Sequence, residues 1–426
     1  MAYTMVQTPR GTKDFLPRDA QRKRWVEDVL QELFLQWGYQ EIITPTMEFY
    51  DTVGAGDVTG LAQNLYRFFE REGDLLALRP DMTTPVARVV ATRLRDQPKP
   101  LRFCYRANVF RYAEPQAGRR REFYQAGVEL IGTNSYQADA EVVALTVEAL
   151  QAVGLKDFRV DIGQVDYYDG ILQHPALSSE ERRSMRLALL KKDYVSLEQL
   201  VANCSLPGPE RELLRQLPEL RGGREVLQEA MAKATSPISI KAIENLSAIY
   251  EILEEFDLAK WVRVDLGMIK DIEYYTGMVL EAYTADMGFT IGTGGRYDNL
   301  ISQFGYQCPA TGFALGIERI MLALTRQKGW PPLGKQRILC IALADEPKLS
   351  WQVARKLREY GYIVELDVWP SPDQTRDYAL NAGFTWIVRP LNQGTIQVLP
   401  PGGDWREMEL ADFVEALRDE EADVNG

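Results

Sequence analysis

Hydrophobic positions recur every three to four residues near the start of the chain and alternate with polar ones in many later segments. Residues 21–37 place Leu30, Phe34 and other apolar side chains on one helical stripe, which Gly38 ends. Further helices are predicted at 137–153 and 316–326. Extended segments or strands are predicted at 41–49, 68–69, 75–78, 102–110, 123–131, 157–162, 262–266, 278–283 and 289–292.

The patterning changes character twice along the chain. Residues 168–256 are helical by pattern and lack strand alternation, which predicts an inserted helical unit. Residues 327–336 are rich in proline and glycine and predict a linker between a core over 1–326 and a C-terminal domain over 337–426.

The C-terminal region reads as β-α-β-α-β-β-α, typical of a small α/β domain. Its predicted strands are 338–343, 363–368, 386–388 and 395–399, and its predicted helices are 348–360, 372–381 and 410–417. The last residues, 419–426, are expected to form a frayed acidic tail.

Composition narrows the functional classes. No apolar run is long enough to span a bilayer and the first residues lack a signal-peptide pattern, so a cytoplasmic protein is expected. The four cysteines form no CxxC pair, which argues against a zinc site and a disulfide framework. A single histidine, His174, disfavours metal sites and Ser-His or Cys-His catalysis. Neither a Walker motif nor a GxGxxG fingerprint occurs.

Charge argues against nucleic-acid binding. The chain has a net charge of −12. Residues 337–426 contain nine Lys and Arg against sixteen Asp and Glu, a net charge of −7. A domain that docks on tRNA needs a basic face to neutralise phosphates. The C-terminal domain is therefore not expected to bind tRNA.

Five motifs occur in one order along the chain. They are RGTKDFLP at 10–17, FRYAEPQAGRRREFYQ at 110–125, YYTG at 274–277, GGRYD at 294–298 and GFALGIER at 312–319. In order and spacing the chain resembles the class II histidyl-tRNA synthetase family from residue 8 to about 324. The resemblance implies an α+β fold, with an antiparallel sheet flanked by helices, a helical insertion, a small C-terminal α/β domain and a homodimeric core.

A pocket for free histidine needs acceptors for the ammonium group, donors for the carboxylate and polar groups facing the ring nitrogens. The resemblance implies that Asp81 and Thr83 meet the ammonium group, with Gln125 beside them, and that Glu129 accepts from a ring N–H. Gln125 and Glu129 lie four apart on a predicted strand and share one face. Asp81 stands where the synthetases usually have glutamate.

The resemblance also adds Tyr274, Tyr275 and Arg111 to the histidine-binding set. Tyr274 is the preferred second ring contact. Adjacent strand residues point to opposite faces, so both tyrosines are not expected to line one site. Arg111, Arg121 and Arg319 are candidates for residual phosphate binding, since the family holds ATP phosphates with arginines.

Three positions depart from the synthetase pattern. Ala113 stands where the motif has glutamate, Lys270 replaces the arginine that stabilises charge during adenylate formation, and Asp271 replaces glycine. Lysine keeps a charge but lacks the planar guanidinium fork. The features implied for histidine therefore survive better than those for adenylation.

This combination resembles the regulatory subunits of ATP phosphoribosyltransferase. The resemblance implies no catalytic residue, cofactor or metal in this chain, a short-form catalytic subunit as hetero-oligomeric partner, and histidine as the feedback effector of the first step of histidine biosynthesis. A divergent histidyl-tRNA synthetase is the alternative. Another paralogue, such as a translation-factor kinase regulator or an amino-acid-modifying enzyme, also stays open.

Overall fold

The computed structural model describes residues 6–54, 64–112, 120–269, 274–285, 287–331, 336–367, 372–400 and 403–425. The chain forms two compact units, Met1–Trp330 and Pro331–Gly426. Each unit has hydrophobic clusters of its own. No described helix is both long enough and apolar enough to cross a bilayer.

The first unit combines helices with two sheets. Its helices are α1 (Pro17–Gln36), α2 (Tyr50–Gly54), α3 (Thr83–Arg93), α4 (Tyr136–Ala152), α5 (Val165–Leu172), α6 (Ser179–Leu190), α7 (Tyr194–Asn203), α8 (Gly208–Gln216), α9 (Arg224–Lys233), α10 (Pro237–Glu255) and α11 (Ile317–Arg326). Its strands are β1 (Gln40–Glu41), β2 (Met47–Phe49), β3 (Arg67–Phe69), β4 (Leu75–Leu78), β5 (Leu101–Phe110), β6 (Glu122–Ile131), β7 (Arg159–Gln164), β8 (Arg221–Gly222), β9 (Val262–Asp265), β10 (Met278–Tyr283), β11 (Gly292–Arg296) and β12 (Ala310–Gly316).

The large sheet positions the site. Within the described residues it has nine strands in the order β1-β5-β6-β12-β11-β10-β7-β9-β8, and its five central pairings, from β5 to β7, are antiparallel. The register sets Glu129 of β6 beside Phe103 of β5 and Gly312 of β12. The predicted α+β fold with a mainly antiparallel sheet is confirmed.

Helix α1 shows how local sequence defines an element. Pro17 occupies its first turn, where a missing N–H costs nothing. Val26, Leu30 and Phe34 are fully buried on one stripe. The helix ends just before Gly38, whose φ of 82° suits glycine. The predicted helix is confirmed and begins four residues earlier than expected.

Two elements beside the site were not expected from the pattern. Helix α3 (Thr83–Arg93) carries Pro85 in its first turn, and Asp81 Oδ1 accepts from the backbone N–H of Thr84 at its start. Strand β12 (Ala310–Gly316) contains two glycines and two alanines, which have weak strand propensity. It is a strand because it pairs with β6 and β11 on both sides. The strand predicted at 289–292 was wrong, since β11 covers Gly292–Arg296.

The second unit is a small α/β unit. Its elements are β13 (Arg337–Cys340), α12 (Pro347–Glu359), β14 (Ile363–Leu366), α13 (Pro372–Ala382), β15 (Trp386–Pro390), β16 (Thr395–Leu399), β17 (Arg406–Glu409) and α14 (Leu410–Asn425). The sheet order over the described residues is β14-β13-β15-β16-β17. Strand β17 was not predicted. The expected frayed tail was wrong, because α14 continues to Asn425.

Candidate functional site

A cavity of about 670 Å³ lies in the first unit, within the size range of small-molecule sites. All seven residues of the predicted histidine-binding set line it: Asp81, Thr83, Arg111, Gln125, Glu129, Tyr274 and Tyr275. Strand β6 supplies Gln125 and Glu129, which are four residues apart on one strand face as expected. Residues far apart in sequence thus converge on one cavity.

Glu129 is buried, with 1% of its surface exposed. Thr83 Oγ1 donates to its Oε1 at 2.8 Å, and Tyr105 Oη donates to the same oxygen at 3.3 Å. Tyr297 Oη donates to Oε2. Three hydroxyl groups from separate elements therefore hold one carboxyl group in place.

Room for this carboxyl group comes from a glycine on the neighbouring strand. A Cβ atom at Gly312 would lie 2.1 Å from Glu129 Oε2, far inside contact distance. A Cβ at Gly127 would similarly lie 2.7 Å from Tyr105 Oη. The low strand propensity of these positions is offset by the buried polar cluster that they admit.

Burial raises the pKa of Glu129 to about 8, since a buried carboxylate loses its hydration. The hydrogen bonds from Tyr297, Thr83 and Tyr105 act in the opposite direction. The negative charge of Asp81 adds to the rise. Glu129 therefore exchanges its proton near neutral pH, which suits a partner that also titrates there.

Two acceptor oxygens in the cavity have no protein donor among the described residues. Asp81 Oδ1 accepts from the backbone N–H of Thr84 at 3.0 Å, while the buried Asp81 Oδ2 has no hydrogen-bond partner. The buried Gln125 Oε1 likewise has no hydrogen-bond partner among the described residues. Unpaired buried acceptors cost free energy, so this part of the cavity favours a ligand that brings several N–H donors.

Tyr274 and Tyr275 both line the cavity, so the expectation that only one would do so was wrong. They precede β10, which begins at Met278, and strand alternation does not apply to them. Their ring centroids lie 4.9 Å apart with the planes at 56°, and Tyr274 meets Tyr297 edge-on at 5.9 Å. The tyrosines form an aromatic wall beside Glu129.

Five cationic side chains and two further carboxyl groups, those of Asp19 and Glu318, also line the cavity. Arg111 Nε donates to the carbonyl oxygen of Pro80 at 2.8 Å. Arg319 Nη1 donates to the carbonyl oxygen of Thr290 at 2.6 Å. Lys13, Arg22 and Arg120 complete the cations that line the cavity. The cavity thus combines buried, unpaired acceptor oxygens with several half-buried cations.

The remaining predicted positions lie elsewhere. Arg121 is not among the residues that line the cavity, and its guanidinium stacks on Tyr112 at 4.3 Å. Ala113, Lys270 and Asp271 lie outside the described residues. No cluster of His, Cys, Asp or Glu side chains able to hold a metal ion occurs in the described part of the chain.

Sequence reasoning missed Tyr105 and Tyr297, although both donate to Glu129. A signal existed for Tyr297, which belongs to the GGRYD motif at 294–298. Tyr105 was visible only as one position of a long strand pattern. Its role depends on the β5–β6 register, which sets Tyr105 opposite Gly127.

The family model for histidyl-tRNA synthetase matches residues 11–320. A protein named ATP phosphoribosyltransferase regulatory subunit from Moorella thermoacetica is 49% identical over 85% of this chain and 92% of its own length. Its namesake from Acetivibrio thermocellus is 38% identical over 93% of this chain and 96% of its own.

The chain belongs to the histidyl-tRNA synthetase-like family of ATP phosphoribosyltransferase regulatory subunits.

Solved structures agree with membership in this regulatory-subunit family. A structure described as an ATP phosphoribosyltransferase regulatory subunit/histidyl-tRNA synthetase from Bacillus halodurans is 33% identical, with a TM-score of 0.82 over 91% of this chain and 99% of its own. Histidyl-tRNA synthetase from Nostoc sp. PCC 7120 is 20% identical with a TM-score of 0.83 over 98% of this chain and its full length, a likeness of fold alone.

Proposed function

We propose that this chain is the regulatory subunit of an ATP phosphoribosyltransferase and binds free histidine in the cavity as its effector. The observation that carries the proposal is the polarity of the cavity. Orphaned acceptors on Asp81 and Gln125 line the same cavity as Glu129, and Arg111 supplies a cation to it. A free amino acid with a basic ring complements this arrangement in charge and in hydrogen bonding.

In the proposed complex the ammonium group donates to Asp81 Oδ2 and Gln125 Oε1. The carboxylate points towards Arg111, and the ring lies against Tyr274 with a nitrogen facing Glu129. Asp81 therefore serves despite being one methylene shorter than the glutamate that the synthetases usually carry. Thr83 acts on Glu129 through its 2.8 Å hydrogen bond rather than only on the ammonium group.

Regulation then follows from differential affinity. Histidine shifts the assembly with a short-form catalytic subunit towards an inhibited state if it binds that state more tightly. The residues for phosphoribosyl transfer lie on the partner. The acidic C-terminal unit, with a net charge of −7 over residues 337–426, supports a role without tRNA.

The proposed homodimeric core is supported by an apolar sheet face. Alternate residues of three paired strands, β2, β4 and β3, share this face, which we name the β2–β4–β3 face: Met47, Phe49, Leu76, Leu78 and Phe68. Met47 is 54% and Phe49 57% exposed in the single chain. A face of this kind suits packing on its own copy about a two-fold axis.

The test is reconstitution with a short-form catalytic subunit that is active only when this chain is present. Histidine should inhibit the complex. Glu129→Ala should abolish inhibition by histidine while activation of the partner persists. The change removes a carboxyl group inside the cavity and leaves the protein surface unaltered. Persistent inhibition in Glu129→Ala would place the effector at another site.

A divergent histidyl-tRNA synthetase is the second candidate, favoured by Arg111 and Arg319 lining the same cavity. Pyrophosphate exchange with histidine and ATP separates the two. Robust exchange by this chain alone would reject the regulatory proposal, and its absence, together with histidine binding, supports it.

A further inference from the structure

The hydrogen bonds around Glu129 leave little capacity for a ligand. A carboxylate offers about four acceptor positions. Oε1 already accepts from Thr83 and Tyr105, and Oε2 accepts from Tyr297. One position on Oε2 is left for a single strong contact with a ligand ring.

The surroundings of Glu129 favour a cationic contact at that position. The titratable groups that interact with Glu129 include Asp81, Tyr105, Tyr274, Tyr275 and Tyr297. Five cations line the cavity, and two of them, Arg111 and Arg319, donate to the carbonyl oxygens of Pro80 and Thr290. Among the described residues no cationic side chain forms an ion pair or hydrogen bond with Glu129. An ionised Glu129 thus lacks a direct counter-ion until a ligand supplies one.

Tyrosine side chains suit the opposite side of such a ring. A protonated imidazole carries two N–H donors and no acceptor. If one N–H faces Glu129, the other meets the wall of Tyr274 and Tyr275, whose hydroxyl oxygens accept. The rings of the same wall attract a cation through their π faces. The π faces of this wall therefore favour a charged ring over a neutral one.

We propose that Glu129 and the ring of bound histidine hold one proton between them, so that the site selects a ligand whose side chain is a base. This inference rests on the proposed function. On binding near neutral pH, the proton carried by Glu129 passes along its hydrogen bond to the bare ring nitrogen. The O–H bond gives way to an N–H bond, and the protein and ligand together gain and lose no proton.

Because of this proton balance, the affinity for histidine stays constant between the pKa values of the two free partners. We call this pH range the plateau. Free Glu129 titrates near pH 8 and the free ring near pH 6.5. Below the plateau the two free partners carry two protons, so binding releases one and affinity falls about tenfold per pH unit towards acid. Above the plateau they carry none, so binding takes up one and affinity falls about tenfold per unit towards alkali.

An ionised Glu129 that accepts from a neutral ring gives a different profile. The complex then lacks the shared proton, and binding releases one proton throughout the interval between the two free values. Affinity would rise about tenfold per pH unit across that interval instead of staying constant. The two arrangements are distinguishable by proton counting alone.

Titration calorimetry of the full-length chain with histidine at about pH 7.2, midway between the free values, measures this count. Equal binding heats in phosphate and Tris buffers, which differ in ionisation enthalpy, are the expected result. A difference that corresponds to one released proton overturns the inference but leaves histidine binding intact. Absence of any binding heat, with no shift in thermal unfolding, rejects the proposed function itself.

Two variants test whether Glu129 causes the fall in affinity above about pH 8, which we call the alkaline limb. Glu129→Gln keeps the shape of the side chain but cannot share a proton, so its affinity should be weaker and lose the limb near pH 8. Asp166→Asn removes another carboxyl group whose pKa burial raises, outside the cavity, and should keep that limb. Loss of the limb in Asp166→Asn, or its retention in Glu129→Gln, contradicts the assignment. The ligand ammonium group titrates in every variant and cancels in the comparison.

A ligand analogue gives an independent test. Triazolylalanine has a ring of the same shape whose nitrogen is a much weaker base. It should bind at least tenfold more weakly than histidine at neutral pH, because the triazole ring resists taking the proton. Equal affinity for the two ligands would show that ring basicity does not determine selection.

Discussion

Glu129 has a buried carboxyl group whose charge state is set by opposing effects. Burial favours the neutral form, whereas hydroxyl groups of Thr83, Tyr105 and Tyr297 favour the ionised one. Burial outweighs the hydrogen bonds, and the pKa rises to about 8. A site residue with these properties lowers the free energy of unfolding at neutral pH. Its proton, however, exchanges near neutral pH, where the site can use it.

Glu129→Gln should therefore change how stability depends on pH. In the unfolded chain Glu129 ionises near pH 4.5, while in the folded chain it holds its proton to about pH 8. Between these values the folded state binds more protons, so the wild-type free energy of unfolding falls as pH rises, by at most about 1.4 kcal/mol per unit from this group. Glutamine does not titrate. Urea unfolding at several pH values should show that the free energy of unfolding of the variant increases relative to that of the wild type from pH 5 to 8. Parallel curves would contradict the raised pKa.

At the scale of elements, β11 is tied to the start of α4 by one buried ion pair. Arg296 of β11 lies 3.0 Å from Asp139 of α4, and both are buried. Arg296 Nη1 and Nη2 also donate to the carbonyl oxygens of Thr133 and Ser135, which precede the helix. Burial raises the pKa of Asp139, and Arg296 opposes that rise. This contact fixes the strand that precedes Tyr297.

Arg296→Met should destabilise the first unit by about 3–5 kcal/mol, because it leaves the Asp139 carboxylate buried without its partner. Adding Asp139→Asn should restore part of that loss. Arg224→Met, which breaks an exposed pair with Glu254, is the matched control and should have a much smaller effect. The free energy of unfolding in urea measures all of these. An additive double variant would show that the two residues do not interact.

The β2–β4–β3 face gives a prediction at the same scale. Phe49→Asp places a charge on this face and should convert the proposed homodimer to a monomer. Phe256→Asp, at an isolated residue that is 69% exposed beyond α10, should leave the dimer intact. Sedimentation velocity reports both masses. If the Phe49→Asp variant is still a dimer, the β2–β4–β3 face is not the dimer interface.

At the scale of the whole molecule, the two units have separate cores. The large hydrophobic cluster contains buried residues only up to Leu324, and the clusters of the second unit begin at Ile338. The cavity is lined by residues up to Trp330, all in the first unit. The proposed histidine site therefore lies within the first unit.

A fragment of residues 1–330 should fold and bind histidine within about threefold of the full-length affinity, since every lining residue and the core beneath it are retained. Titration calorimetry of both proteins measures this. The same fragment carrying Glu129→Gln should bind more weakly, as in the full chain. A folded fragment without affinity would show that the second unit contributes to the site.

The sequence by itself predicted most of the described elements and seven of the residues that line the cavity. Hydrophobic periodicity is local information, so α1 and β10 followed from it directly. The site residues came from motif resemblance, which carries the geometry of related proteins.

Only the tertiary structure decided the rest. Strand β12 exists because β6 and β11 hold its glycine-rich segment from both sides, an effect that propensity cannot express. Tyr275 faces the cavity because it precedes a strand rather than lying within it. The three hydroxyl donors on Glu129 come from segments up to 214 residues apart, between Thr83 and Tyr297. The charge state of Glu129 depends on burial and on those donors, both of which arise when the chain packs.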